Sequence, residues 1–109
     1  MGDGVMDGVE HFKINLRSGF FKVKPYSVTV SLEDITFTPL DEAEDKNRIK
    51  IPCSKVERIV IFGRAPVELE IKTVDETFVG VFQTPYDMAN AIELLKSVFK
   101  KRFSNGGVM

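Results

Sequence analysis

The chain has 109 residues, of which 43% are hydrophobic and 28% are charged. Its 15 basic and 16 acidic side chains nearly cancel, and a net charge of −1 provides no overall attraction to nucleic acid or to an acidic membrane. This length and apolar fraction fit one domain with its own core, which excludes a wholly disordered chain. A single Cys excludes an internal disulfide, and with a single His it cannot supply an ordinary structural zinc site.

The two ends of the chain differ in composition from the rest. Residues 1–10 and 105–109 contain several glycines and no periodic apolar face, so we expect flexible tails on either side of one domain over residues 11–104. No secretory pattern is visible at the start, and the longest apolar run, residues 59–62, is too short to span a membrane. We therefore expect a cytoplasmic protein, located at a membrane surface only as a peripheral component.

The first strand is predicted from His11 onwards, because apolar and polar residues alternate from there. Ser18 and Gly19 interrupt the alternation before it resumes through residue 24. Two interpretations are open: a single bent strand with a bulge, which we prefer, or a turn between two short strands. Pro25 is expected to end this segment, because proline cannot donate to a central ladder.

Six further stretches have the apolar patterns of strands. The first two are separated by Glu33 and Asp34, which predicts a hairpin. A highly charged loop is expected over residues 41–48. The predicted strands are 26–32, 35–39, 49–53, 56–62, 67–72 and 77–83.

An amphipathic helix is predicted after the strands. Thr84 is a suitable N-cap, Pro85 fits the first helical position, and Asp87 can return a hydrogen bond. An apolar stripe with helical spacing extends from Met88 to Phe103, and residues 104–107 end it. The pattern predicts a mainly β barrel or sandwich, with seven antiparallel strands in two bent sheets capped by one C-terminal helix.

A family resemblance is carried by three stretches: YSVTVSLEDITFTP, IKIPCSKVERIVI, and the helix that follows FQTPYD. They resemble the GRAM and bacterial pleckstrin-homology-like families over approximately residues 20–103. The resemblance implies a strongly bent barrel, capped by the helix and used as a scaffold for binding protein or lipid. The Trp common in the C-terminal helix of eukaryotic pleckstrin-homology domains is missing, which favours the GRAM-like or bacterial members.

Residues that could carry catalysis are few and scattered. His11 lies next to a predicted tail, and Cys53 is interpreted as a small buried hydrophobe. The carboxylates at 41–45 and 75–76 lack the spacing of a calcium loop and are interpreted as solvated turns. The sequence therefore predicts no enzymatic activity, no metal site and no cofactor. The alternative is a metal-dependent enzyme that uses the paired carboxylates.

Basic residues concentrate between residues 11 and 32, a segment without an acidic residue. By alternation, the four basic residues of this segment, Lys13, Arg17, Lys22 and Lys24, are expected to point away from the apolar face. Pleckstrin-homology domains that bind phosphoinositides use basic residues of the first two strands, so the resemblance implies comparable places for Lys22, Lys24 and Tyr26. The candidate binding site for an anionic ligand or partner is Lys13, Arg17, Lys22, Lys24 and Tyr26.

The acidic loops at 41–45 and 75–76 are expected at the same mouth of the barrel and offset these charges, which disfavours a tight phosphoinositide site. Nucleic acid is also disfavoured, because a continuous basic track with stacking aromatics is lacking.

A second basic group, between residues 46 and 64, is matched by an acidic segment over 68–76. We prefer pairing within the chain, and the alternative is a self-complementary surface that drives homo-oligomers.

The preferred interpretation is a non-catalytic module that binds another protein, including copies of itself. The alternative is a peripheral membrane module that binds anionic lipid or phosphoinositide head groups through the basic first strand.

Overall fold

The computed structural model describes residues 11–18, 22–64 and 66–107, so the predicted N-terminal tail lies outside it. Eight strands and one α-helix are present in this part of the chain. Short 3-10 helices occupy Glu42–Asn47, in the predicted charged loop, as well as Cys53–Lys55 and Lys100–Arg102. The elements are β1 (His11–Ser18), β2 (Lys22–Val30), β3 (Asp34–Pro39), β4 (Ile49–Pro52), β5 (Val56–Phe62), β6 (Glu68–Thr73), β7 (Thr77–Phe82), α1 (Pro85–Phe99) and β8 (Phe103–Gly107).

The strands form a single open sheet in the order β4-β3-β2-β1-β7-β6-β5-β8. The prediction of a mainly β fold with one C-terminal helix is confirmed, whereas the predictions of seven strands and two sheets are wrong. One sheet results because β1 joins its two halves: β1 pairs with β2 along its length and, through residues 14–16, with residues 80–82 of β7. All pairs are antiparallel except that of β5 with β8.

The first hairpin corrects two predictions. β1 and β2 are separate antiparallel strands, with Ser18 opposite Lys22, so the preferred single bulged strand is wrong. Pro25 does not end a strand but lies inside β2, where its carbonyl accepts a hydrogen bond of 3.1 Å from the Leu40 N–H. The N–H and C=O of a strand residue point to the same side of the strand. The side of Pro25 that lacks a donor therefore faces the residues that follow β3, because the last pair between β2 and β3 is Tyr26 with Pro39.

The core lies between the sheet and α1. Phe12, Ile14, Phe37 and Ile59 are fully buried, and the helix contributes buried Ala91, Leu95 and Phe99. Each large side chain that is buried in this way contributes roughly 1.5–3 kcal/mol to stability. Gly80 allows the close approach of β1 to β7, because a Cβ there would lie 2.7 Å from Cδ1 of Ile14.

The N-terminus of α1 is fixed to the sheet as well as capped. The predicted N-cap is confirmed: the Asp87 N–H donates to Thr84 Oγ1 at 3.1 Å, and that hydroxyl donates to Asp87 Oδ2 at 2.8 Å. The other carboxylate oxygen, Oδ1, accepts a 2.9 Å hydrogen bond from the backbone N–H of Lys13 in β1. One aspartate therefore closes the first turn of the helix and attaches it to the first strand.

The C-terminus of α1 differs from the prediction. The α-helix ends at Phe99, where Lys100 adopts a positive φ of 49°, and the chain continues through a 3-10 turn into β8. Phe103 therefore lies in a strand, opposite Ile59, instead of ending the helical stripe. β8 also extends to Gly107, so the paired structure includes residues 105–107, which were expected in the C-terminal tail.

The side chain of Arg102 connects two regions that lie far apart in the sequence. Its Nη1 donates to the carbonyl oxygens of Cys53 at 3.0 Å and Val56 at 2.9 Å. Its guanidinium also lies 5.0 Å from the centre of the Phe99 ring, within cation–π distance. The side chain thus connects the end of α1 to the beginning of β5.

Candidate binding surfaces

The predicted basic site is divided between the two faces of the first hairpin. Lys13 and Arg17 are exposed on the outer face of β1, whereas Lys24 is half-buried and lies opposite Leu16, a core residue. The prediction that all four cations share the outer face is therefore wrong for Lys24. The reason is Pro25: because β2 continues through it, Lys24 alternates in phase with buried Tyr26 rather than with the outer residues.

The members of the predicted site also have structural roles. Arg17 forms an ion pair of 3.3 Å with Glu68, and Lys24 has a partner of its own. Tyr26 is 6% exposed, with its ring at the edge of the Phe37 ring and a centroid distance of 6.0 Å. Lys22 begins β2, but its side chain lies outside the described part of the structure.

Lys13 and Arg17 themselves are not adjacent. Four residues of a strand separate their Cα atoms by about 13 Å. The structure therefore places these two cations on one face without bringing them together, and the described side chains of the predicted site do not meet at one point.

Part of the charge complementarity predicted over residues 46–76 is satisfied within the chain. Among three ion pairs near the surface, that of Lys55 with Asp75, at 3.5 Å, joins the predicted basic group to the predicted acidic segment. The other two, Lys50 with Asp34 at 3.8 Å and Lys72 with Glu57 at 4.0 Å, do not. Exposed pairs of this kind contribute at most about 1 kcal/mol each. Arg58, however, lies directly opposite Lys72, a like-charge neighbour.

A groove with a volume of about 640 Å³ opens where the β5–β6 turn meets the start of α1. We call it the helix groove. Carbon-rich side chains from three elements form much of its lining, and Arg64 and Gln83 supply polar groups. The lining includes Arg64, Pro66, Val67, Phe82, Gln83 and Met88.

The two sides of the helix groove are held by specific contacts. Gly63 has a φ of 92°, and a Cβ there would lie 2.7 Å from the Pro66 carbonyl oxygen, so the turn requires glycine. Gln83 donates from Nε2 to Asn15 Oδ1 at 2.9 Å. Arg64 is exposed on the turn, where its charge can reach a ligand in the groove.

The helix groove has no signal in the sequence. Residues 63–66 lie between two predicted strands and Thr84 is a predicted helix cap, and nothing in these local patterns brings the two segments together. The sheet register does so, because Phe62 lies opposite Glu68, and Glu68 lies opposite Val81. A site created by strand register could not be found from either segment alone.

A second surface lies on the outer side of β5, β6 and β7. Val60 and Phe62 of β5 and Val79 and Val81 of β7 are half-buried but lie outside the core cluster. Between these two apolar columns, β6 presents two acids to the same side. We call this surface the valine–glutamate face; it consists of Val60, Phe62, Glu68, Glu70, Val79 and Val81.

The prediction that Cys53 is a small buried side chain is confirmed, since it is 8% exposed and its Sγ lies 3.5 Å from the Ser31 carbonyl oxygen. Burial raises the pKa of the Cys53 thiol, Arg102 opposes this shift, and Asp34 adds to it. The thiol is therefore kept in its protonated, weakly nucleophilic form at neutral pH.

We expect Cys53 to react with a disulfide reagent about ten times more slowly, or slower still, in the native protein than in urea, because reaction requires local opening. The rate can be followed by the absorbance of the released thiolate. A native rate equal to the unfolded rate would contradict this prediction.

The raised pKa of Cys53 also means that the folded state holds the thiol proton more tightly than the unfolded state does. The contribution of this group to stability is therefore present below the usual thiol pKa and is lost as the pH rises through the higher folded value.

Two observations concern metals and membranes. Within residues 11–18, 22–64 and 66–107, no group of three or more His, Cys, Asp or Glu side chains is arranged to hold a metal ion. The described helices include none with the length and apolar character needed to cross a bilayer.

The comparisons with known proteins returned no match to a family model and none to a curated protein.

Proposed function

We propose that this protein is a non-catalytic interaction module of the GRAM or pleckstrin-homology-like kind, which binds a segment of another protein in the helix groove. The observation that carries the proposal is the chemistry of that groove. Val67, Phe82 and Met88 offer an apolar lining, and Arg64 is the ionisable side chain among the described lining residues. A groove of this composition suits the binding of an apolar side chain.

A catalytic site requires a different set of groups. A nucleophile needs a neighbouring base, and general acid–base chemistry needs titratable side chains that converge on the substrate. Asp87, in the first turn of α1, already accepts hydrogen bonds from Lys13 and Thr84. The described groove therefore supports binding better than it supports catalysis.

The charge at the groove indicates the chemistry of the bound segment. An exposed guanidinium pairs well with a carboxylate, which an apolar residue next to Asp or Glu would supply. The volume of about 640 Å³ lies within the range of sites that enclose small ligands or a few side chains. We therefore propose a segment with one or two large apolar residues flanked by an acidic residue.

Anionic lipid receives weaker support. Lys13 and Arg17 lie on the outer face of the hairpin, Lys24 lies on the core side, and Arg17 is paired with Glu68. A charged membrane is best recognised by cations that share one surface.

The test is a nuclear magnetic resonance titration with two capped peptides that contain Phe-Leu, one flanked by Asp and the other by Lys. We expect the amide signals of Arg64, Val67 and Met88 to move on addition of the acidic peptide, with a dissociation constant between roughly 10 µM and 1 mM. Arg64→Glu should weaken this binding about tenfold and favour the basic peptide instead, because one charge-assisted contact is lost and reversed.

Lys101→Glu is the matched control, since it makes the same charge reversal at an exposed basic residue beyond the end of α1, away from the groove lining. It should leave the affinity of the acidic peptide unchanged. Absence of shifts at millimolar peptide, or equal effects of the two substitutions, would refute the proposal.

A further inference from the structure

The valine–glutamate face has a regular pattern of three columns. The apolar columns on β5 and β7 lie about 10 Å apart, because each neighbouring strand adds about 4.8 Å. The acidic column on β6 lies between them, with Glu68 opposite Phe62 and Val81, and Glu70 opposite Val60 and Val79. Along each strand, successive residues of this face are separated by about 6.6 Å.

The charges on this surface are incompletely satisfied within the described residues. Glu70 is half-buried between two valines, and its carboxylate has no ion pair or hydrogen bond there. Glu68 is paired with Arg17 at 3.3 Å. One row further along the strands, Arg58 lies opposite Lys72 and likewise has no ion pair within the described part of the chain. The surface therefore presents a basic row followed by two acidic rows.

We propose that the valine–glutamate face binds an amphipathic helix of another protein, with two basic residues placed over Glu70 and Glu68. A helix is about 10 Å wide with its side chains, so one helix along β6 reaches both apolar columns. A single extended strand presents one row of side chains to the sheet and would cover one column.

The axial spacing agrees with this arrangement. Residues four apart on a helix are separated by about 6.0 Å, close to the 6.6 Å between Glu70 and Glu68 along their strand. One turn further, over Arg58 and Lys72, the same helix would carry an acidic residue. The expected partner thus has an acidic, a basic and a second basic residue at successive four-residue steps, with apolar residues on either side.

Other occupants fit less well. Residues 1–10 contain no basic residue, so the chain's own N-terminal segment cannot supply the pattern. In a second copy whose two-fold axis passes over Glu70, Glu70 would face Glu70, which is repulsive. The inference concerns a surface separate from the helix groove and does not depend on the function proposed for that groove.

The test uses two labelled, capped helical peptides of about four turns, rich in Leu and Ala. In the first, Glu, Lys and Lys follow one another at four-residue steps; in the second, these charges are inverted to Lys, Glu and Glu. We expect the first peptide to bind with micromolar affinity in fluorescence anisotropy, and the second at least about tenfold more weakly. The first should shift amide signals in β5, β6 and β7.

Glu70→Lys should weaken binding of the first peptide about tenfold or more and strengthen that of the second. Glu93→Lys is the matched control, because it makes the same charge change at an exposed position of α1 and should alter neither affinity. Glu70→Gln serves as a milder variant whose folding is easier to retain, and it should give an intermediate loss.

The inference is overturned if the two peptides bind equally, if Glu70→Gln and Glu93→Lys have the same effect, or if the shifted signals lie at Arg64 and Met88 instead. The Arg64→Glu variant should bind the first peptide normally, so failure of the groove and failure of this face can be told apart.

Discussion

Replacing Leu95 with Ala is expected to lower the free energy of unfolding by about 2–5 kcal/mol. Leu95 is fully buried where α1 packs on the sheet, and its removal leaves a cavity that the close-packed core around it cannot fill. The loss is a large fraction of the 5–15 kcal/mol that stabilises a typical domain. Chemical denaturation followed by circular dichroism measures it.

Leu32→Ala provides the matched control, since Leu32 is 83% exposed and the same atoms are removed. It should change the stability by less than about 0.5 kcal/mol. If the two substitutions cost the same, α1 does not seal the core as described.

Replacing Arg102 with Ala is expected to cost about 2–3 kcal/mol, because two hydrogen bonds from a charged group and a cation–π contact with Phe99 disappear. The carbonyl oxygen of Val56 loses its donor at a position where the residue is buried. Arg102→Lys should recover only part of the loss, since an ammonium lacks the planar geometry of a guanidinium.

Lys101→Ala is the control for this prediction, because Lys101 is an exposed basic residue next to Arg102. Its effect on the unfolding free energy should be small. Full recovery of stability by Arg102→Lys would show that charge alone, rather than the two-carbonyl geometry, is what matters.

The parts of the fold that were predicted correctly have local causes. β5 has the predicted limits because a run of β-branched and apolar residues lies between two breaks, and the hairpin of β2 and β3 follows from alternation around Glu33 and Asp34. The start of α1 was predicted because Thr84, Pro85 and Asp87 carry the chemistry of an N-terminal cap. No long-range information was needed for these elements.

The wrong predictions concern features that are determined by contacts between distant parts of the chain. Pro25 is tolerated in β2 because β3 has ended beside it, and that fact changes the side of the sheet on which Lys24 lies. β8 could not be predicted from Ser104, Asn105 and the glycines that follow, which have poor strand propensity, because pairing with β5 creates it. The single sheet likewise depends on β1 pairing with β7.

The candidate sites show the same limit. The basic residues of β1 and β2 are visible in the sequence, but the side of the hairpin on which each lies depends on strand register. The helix groove and the valine–glutamate face each combine residues from at least three elements, so neither has a linear motif.

The position of β8 has a consequence for the solubility of the folded protein. β5 contains the most apolar strand sequence of the chain, and β8 pairs along the side of β5 that would otherwise be an edge of the sheet. Exposed apolar edges are templates for intermolecular strand pairing and aggregation. A polar, glycine-containing strand therefore occupies the position at which the sheet would be most prone to grow into fibrils.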